Sequence, residues 1–304
     1  MFSYYAKLQN KSVHYNDVLR FNSIIAKAII DNSENLLTEK DVVNLTLPSI
    51  NKKYKSIIAD NFSGVYYTDL ENNQIDVIVQ NIHQINNESE KASAYYLLFQ
   101  SCLIKRPYNL FHRNNLSMRT NYSGGKFGNK ITWERSFEEL FQRFNSELNK
   151  FCFRSNQEIT ISNSSALELN AVSDLVYIDP PYFPLSGSHT SYHSKYHFLE
   201  GLSNYYDIPN EIKTEKKNNE IQIGKNVQFE SRHNFLTELG ILFDLHSNSI
   251  IVMSYRNNGF PSIESIANLL KQFKDNVQII DLGNYGYALN KNNLHNSEVL
   301  IVGF

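Results

Sequence analysis

The chain has 304 residues, with 29 lysines and arginines against 31 aspartates and glutamates, for a formal net charge of −2. That length can bury a sizeable core in one large or two modest domains, and 41% hydrophobic residues suit a soluble globular protein. No apolar run reaches membrane-span length, Met1–Lys7 holds no apolar signal region, and Cys102 and Cys152 lack metal-ligand spacing. A cytoplasmic protein is therefore expected, with free buried thiols, no membrane partner and no metal site.

Residues 12–16 read as a short strand ending at Asp17, followed by a helix over 18–31 with Leu19, Ile24, Ile25, Ala28 and Ile29 on its apolar side. Asp17 reads either as a strand-end acid that holds a ribose or as the N-cap of that helix. Residues 33–105 are helical or mixed, with a turn at Asn72-Asn73 and a helix over Ser89–Ile104 that stops before Pro107. Between 101 and 135 stand seven basic residues, Lys105, Arg106, Arg113, Arg119, Lys126, Lys130 and Arg135, against one acid, Glu134. Such a cluster is either a face that neutralises phosphates or a solvated charged surface. Tyr108, Phe111, Tyr122, Phe127 and Trp133 lie between these cations and suit contact with a DNA backbone and an opened base stack. Gly124-Gly125 and Gly128 punctuate the same loop. Ser136 with Glu139 reads as a capping box opening an amphipathic helix over Phe137–Phe151. Glu158–Ile161 returns to strand.

Leu175-Val176-Tyr177-Ile178 is a short apolar run, as expected of a strand buried on both faces, and Asp179-Pro180-Pro181-Tyr182 ends it. The prolines have no N–H to donate, so they stop the ladder and leave Asp179 at the strand's carboxyl end, where open α/β sheets bind ligands. There the carboxylate and the Pro180 carbonyl could accept both hydrogens of one exocyclic amine, with Tyr182 or Phe183 stacked on its ring. Pulling on those hydrogens localises the nitrogen lone pair for in-line attack on a methyl donor, which is positional and electrostatic catalysis. A bare Asp-Pro-Pro turn reads equally as a structural corner.

Residues 184–197 read as a polar loop in which Ser191-Tyr192-His193 and Tyr196-His197 could cover a flipped base. His197 itself is read as a structural or DNA contact. Residues 207–228 read as holding an exposed charged loop, and 232–245 as a helix. Ser249–Tyr255 is a second buried parallel strand, and Ser262 caps a helix through Phe273. Asn276–Leu282 and Glu298–Phe304 pair as a closing antiparallel hairpin, whose connection carries Tyr285, Tyr287, Lys291 and Asn292 as candidate DNA contacts.

The motif Asp-Pro-Pro-Tyr after a strand resembles the catalytic motif of amino-group DNA methyltransferases, and the surrounding segments resemble the Dam-like class of adenine-N6 enzymes. Those segments are Asn16-Asp17, Lys105–Phe111, Phe127–Lys130, Tyr196–Leu199, Ser254–Gly259 and Ser297–Ile301, in the family's order along nearly the whole chain. The resemblance implies an α/β, Rossmann-like S-adenosylmethionine-dependent methyltransferase fold with an inserted target-recognition domain. The catalytic domain would comprise 1–34 and 156–304, and the recognition region 35–155. It implies Asp179, Pro180, Pro181 and Tyr182 as the catalytic corner. Asp17, Ser165 and Asp179 would meet S-adenosylmethionine, with Ser165 standing where the family usually places an acid. Lys105, Arg106, Arg113, Arg119 and Lys130 would contact double-stranded DNA, at a short specific site, in a restriction-modification system.

Family members carry a first strand and a Gly-rich turn ahead of the helix that Met1–Gln9 resembles, whereas no glycine precedes Gly64 here. The first strand, expected beside the one carrying Asp179, is therefore read as missing from this chain. A separate polypeptide that supplies it, a start further upstream, or a decayed fragment are the three expectations. The alternative to an enzyme is thus a catalytically incomplete fragment, or half of a split methyltransferase, that binds DNA.

Overall fold

Polar residues at fixed spacing start three of the helices in the first half of the chain. The computed structural model describes residues 1–34, 37–121, 130–169, 171–185, 190–222, 229–284 and 297–304. Thr38, Thr68 and Ser136 each accept from the backbone N–H three residues on, and Asp41, Glu71 and Glu139 return the bond. These three capping boxes open the helices Glu39–Thr46, Asp69–Ile82 and Phe137–Phe151. Asn87 caps Glu88–Ile104, whose residues 92–99 are all buried. The expected turn at Asn72-Asn73 is overturned, because both lie inside the Asp69–Ile82 helix. There the Thr68–Glu71 box outweighs the turn preference of asparagine, and Asn72 is buried with its amide donating to the Phe62 carbonyl.

The strand Val13–Asn16 pairs in parallel with Ile159–Ser162. The helix Arg20–Ala26 follows it and continues as a wider π-helical turn over Lys27–Asp31. Phe21 and Ala28 from this segment enter one apolar core with Val42, Ile78, Leu98, Phe141 and Phe198. The chain accordingly divides into two compact units: residues 1–163 with 193–223, and residues 164–192 with 224–304. This division differs from an insertion bounded at 35 and 155, because the Arg20–Asp31 helical segment shares its core with the helices that follow it.

The second unit is built on a four-stranded sheet. Leu175–Ile178 runs parallel to Ile250–Arg256, with Ile178 opposite Met253. Ser297–Gly303 lies antiparallel to Ile250–Arg256 on one side and to Val277–Asn284 on the other. The parallel pair and the closing hairpin are as expected from their apolar runs. The expectation that Leu175–Ile178 is buried on both faces is overturned: among its residues only Ile178 is buried, and Leu175 is exposed. It pairs with a single neighbour among the described residues. Phe235–Leu245 and Ile263–Leu270, the latter capped by Ser262, pack Leu239, Phe243, Ile266 and Leu270 against Ile251, Met253 and Ile301.

The expected loop 184–197 ends early, because Tyr192–Ser203 is a helix with His197, Phe198 and Leu199 buried. Among the described residues no helix is long and apolar enough to cross a membrane, and no His, Cys, Asp and Glu group could hold a metal. Both cysteines are free, Cys102 buried and Cys152 half-buried.

Candidate active site

The parallel register decides what stands beside Asp179. Met253 faces Ile178, so the next residue, Ser254, comes level with the carboxylate that ends the strand. Ser254 donates from Oγ to Asp179 Oδ1 at 3.2 Å, and the Tyr182 hydroxyl donates to the same oxygen at 2.8 Å. The two hydroxyls also meet each other at 3.2 Å. Tyr177, from the Asp179 strand, forms a side-chain hydrogen bond with Ser254 as well. Oδ2 takes part in none of these bonds, and Asp179 is exposed. The corner therefore offers one oxygen held in place and another open to a donor.

Tyr182 is half-buried, with its ring edge-on to Tyr255 at 5.6 Å between centroids. Burial pushes its phenol well above the ordinary range, with the Asp179 charge adding to the shift and the Ser254 bond opposing it. It is a proton donor to Asp179 throughout the useful pH range. Phe183 is overturned as a stacking partner: it is fully buried against Phe235, because the Phe183–Pro184 backbone pairs with Gly259–Phe260 and draws the ring inward. Gly259 is required in that pairing, since a β-carbon there would come within 2.7 Å of the Tyr255 ring.

Asp17 follows the strand end in the first unit. Its Oδ1 accepts from the Leu19 N–H at 2.8 Å, and its Oδ2 from the Asn22 amide at 3.0 Å and the Tyr15 hydroxyl at 3.2 Å. The carboxylate thus organises the entry into the following helix. Two nearby backbone donors, those of Arg20 and Phe21, go to the buried carboxylate of Glu200 instead. In the second unit Ser165 caps a short 3₁₀ turn, its hydroxyl accepting from the Leu167 N–H at 3.1 Å.

The sequence model of the D12 class N6 adenine-specific DNA methyltransferases matches residues 1–239. The chain belongs to that family. It is 29% identical over 206 residues to the type II methyltransferase M2.HphI of Haemophilus parahaemolyticus, covering 66% of this chain and 60% of that protein. It is 26% identical over 309 residues to the modification methylase StsI of Streptococcus sanguinis, covering 95% of this chain and 43% of that protein. The chain thus spans about half the length of the curated relatives it matches. No solved structure gives a significant match.

For this D12-class chain, the cations expected to meet DNA separate into two sets. Lys105, Arg106 and Arg119 turn inward. Lys105 Nζ and Arg119 Nη2 lie 2.8 and 2.7 Å from the same Glu71 oxygen, and both also donate to the Trp133 carbonyl. Burial raises the Glu71 carboxyl on its own, but the bonds and charges of Arg119 and Lys105 overcome it and hold the group below the usual carboxylate range. Arg106, 1% exposed, donates to the Leu110 and Arg113 carbonyls and lies over the Tyr66 ring at 4.5 Å. Arg113 and Lys130 are exposed, the latter with Glu134 at 3.4 Å.

The aromatic residues of that region separate in the same way. Phe111 and Trp133 are buried in the fold, while Tyr108 is partly exposed in a left-handed turn with Asn109, at φ 63° and 56°. Tyr122, Phe127, Lys126, Gly124, Gly125, Gly128, Tyr285, Tyr287, Lys291 and Asn292 lie outside the described residues.

His197 has a structural position. It is fully buried, its Nδ1 accepting from the Ile221 N–H at 3.0 Å, which leaves the proton on Nε2 to face the Tyr66 hydroxyl and the Phe111 carbonyl. Sequence reasoning missed Ser254 as a site residue. Its signal was a single hydroxyl in an otherwise apolar strand interior, Ile-Ile-Val-Met-Ser-Tyr.

Proposed function

We propose that the chain transfers a methyl group from S-adenosylmethionine to N6 of a flipped-out adenine in double-stranded DNA, as the modification activity of a restriction-modification system in the cytoplasm. The observation that carries this reading is the exposed Asp179 carboxylate, at the carboxyl end of a parallel strand, with Oδ1 held by two hydroxyls and Oδ2 open. A Rossmann-like sheet places its ligands at that edge.

A duplex hides the amino group, so the base must leave the stack, at a cost of a few kcal/mol. Asp179 Oδ2 and the Pro180 carbonyl accept the two amine hydrogens, Pro181 stiffens the corner, and Tyr182 packs against the ring. Stacking on an aromatic side chain returns roughly 1–3 kcal/mol. After transfer the nitrogen loses a proton to water or by way of Asp179, and no base is needed before attack.

The chemistry of the acceptors suits S-adenosylmethionine. Asp17 is read, by the family resemblance, as an acceptor for a ribose hydroxyl. Ser165 would meet the adenine amino group more weakly than an acid. When bound, S-adenosylmethionine supplies the electrophilic methyl group. Arg113 and Lys130 are the cations placed to meet phosphates. Family membership, together with an intact Asp-Pro-Pro-Tyr corner, favours an enzyme over the DNA-binding fragment.

The Asp179→Ala variant is expected to lose transfer of labelled methyl to duplex DNA by about a thousandfold or more, since each 1.36 kcal/mol of lost transition-state stabilisation is tenfold. Its DNA affinity should stay within about twofold of the parent, because phosphate contacts dominate affinity. Parent-level transfer by that variant would remove the assignment.

A further inference from the structure

The corner contains one polar group whose position has no evident use in building the sheet. Ser254 is 1% exposed in the interior of a strand whose other buried residues are Ile251, Met253 and Tyr255. A buried hydroxyl costs free energy unless it is bonded. Alanine would fill the same place without that cost. Ser254 instead gives its one proton to Asp179 Oδ1, with the Tyr182 hydroxyl 3.2 Å away and a side-chain hydrogen bond from Tyr177. It stands on the strand adjoining the Asp179 strand, where its backbone pairs with Leu300 on one side and lies one residue past Met253, the last pair of the parallel ladder, on the other. A rigid donor is thereby set against a carboxylate whose own chain has just left the sheet at two prolines.

We propose that Ser254 is a positioning residue for methyl transfer, pinning Asp179 Oδ1 so that Oδ2 keeps the direction needed to accept the adenine amine. This rests on the reading of Asp179 as the amine acceptor. Tyr182 holds the same oxygen, but it reaches Asp179 from the turn itself, three residues along the chain. A ring that must lie on an incoming base cannot be the fixed support of the carboxylate beneath it. Ser254 is that support, because its hydroxyl approaches from the sheet and needs no rearrangement when Tyr182 turns toward a base. Its effect falls on the orientation of the acceptor, so it shows in the transfer step and leaves substrate affinity alone.

The test uses the full chain in single-turnover transfer of labelled methyl to duplex DNA, with Asp179→Ala, Ser254→Ala and Ser254→Thr measured beside the parent. Ser254→Ala is expected to slow the transfer step by about 10- to 100-fold, the worth of a hydrogen bond to a charged group. Apparent affinities for DNA and S-adenosylmethionine should stay within about twofold of the parent, because the lost bond touches neither ligand. Ser254→Thr, which keeps the hydroxyl, should recover most of the rate. A parent-like rate for Ser254→Ala, while Asp179→Ala is inactive, overturns the positioning role and leaves the Asp179 reading standing. So does an equal loss in Ser254→Ala and Ser254→Thr that follows a drop in melting temperature, since a packing defect then explains both. A parent-like rate for Asp179→Ala, or a parent chain that transfers no methyl group, overturns the underlying reading and this inference with it.

Discussion

Glu71 and Asp179 are both carboxylates held by side-chain donors, and the two units use them in opposite ways. In the helical unit, Glu71 takes a lysine, an arginine and the half-buried Thr68 cap, and the Glu71, Lys105 and Arg119 side chains are largely withdrawn from solvent. In the sheet unit, Asp179 takes two uncharged hydroxyls on one oxygen and stays exposed. The first arrangement leaves the carboxylate little capacity for an outside group. The second fixes the carboxylate without neutralising it, which is what an acceptor for an incoming amine requires. A charge that the fold has already matched is structural, and the charge with unused bonding capacity marks the site.

The sharpest way to break this comparison is to remove Glu71. Glu71→Ala leaves Lys105 and Arg119 buried without their anion, which is expected to cost about 3–5 kcal/mol in urea unfolding. Glu71 is held below its ordinary range in the folded state, so its stabilisation is present above the usual carboxylate pKa of about 4.3 and is lost as pH falls through the lower folded value. A loss under about 1 kcal/mol would show that the two cations do not depend on Glu71 and would place them back among candidates for an outside anion.

A smaller effect is expected from His197, which sharpens the contrast by adding a buried base that the fold keeps neutral. Burial pushes it down to about 3, against an attractive contribution from Glu220 and the Phe111 carbonyl, with His193 and Lys216 opposing protonation. The unfolded chain takes up this proton near pH 6.5 and the folded chain only near 3, so the stabilisation is complete above 6.5 and is lost as pH falls between those values. The loss between pH 6.5 and 5 is about 2 kcal/mol, at roughly 1.4 kcal/mol per unit. Burial also lowers His83, His112, His193 and His246, which act in the same direction. The check is therefore a difference: His197→Gln should flatten the acid limb of unfolding relative to the parent. An unchanged limb would mean that the imidazole is protonated in place.

The parts of this molecule that were legible in sequence are those with a local cause. Ser136 and Glu139 announced a helix start because a capping box needs only four consecutive residues. The parallel strand before Asp179 and the closing hairpin were legible as apolar runs bounded by prolines or polar turns. What stayed hidden depends on distant pairing. Lys105 and Arg119 looked like a surface because their neutralising acid stands at position 71, and composition between 101 and 135 does not contain it. Ser254 was read as one more strand residue, since only register with residue 178 sets it beside Asp179. The helix at Tyr192–Ser203 was hidden by its polar lead-in, although Phe198, Leu199 and Leu202 form its core face.

The mildest change asks whether burial correctly separates the cations. Arg113→Ala and Lys130→Ala remove exposed charges, Lys130 making a solvent-exposed pair with Glu134, so neither should shift unfolding by more than about 0.5 kcal/mol. If either meets a phosphate, its loss lowers the salt slope of DNA binding by roughly one and weakens all sequences alike. Lys105→Met should do the reverse, lowering stability while leaving the salt slope of the folded protein intact, because its ammonium is already matched by Glu71 and two backbone carbonyls. A folded Lys105→Met chain with a reduced salt slope would mean that DNA draws this lysine out of its pair. The Glu71 cluster would then be a store of positive charge released on binding, and the contrast between the two carboxylates would hold only for the free protein.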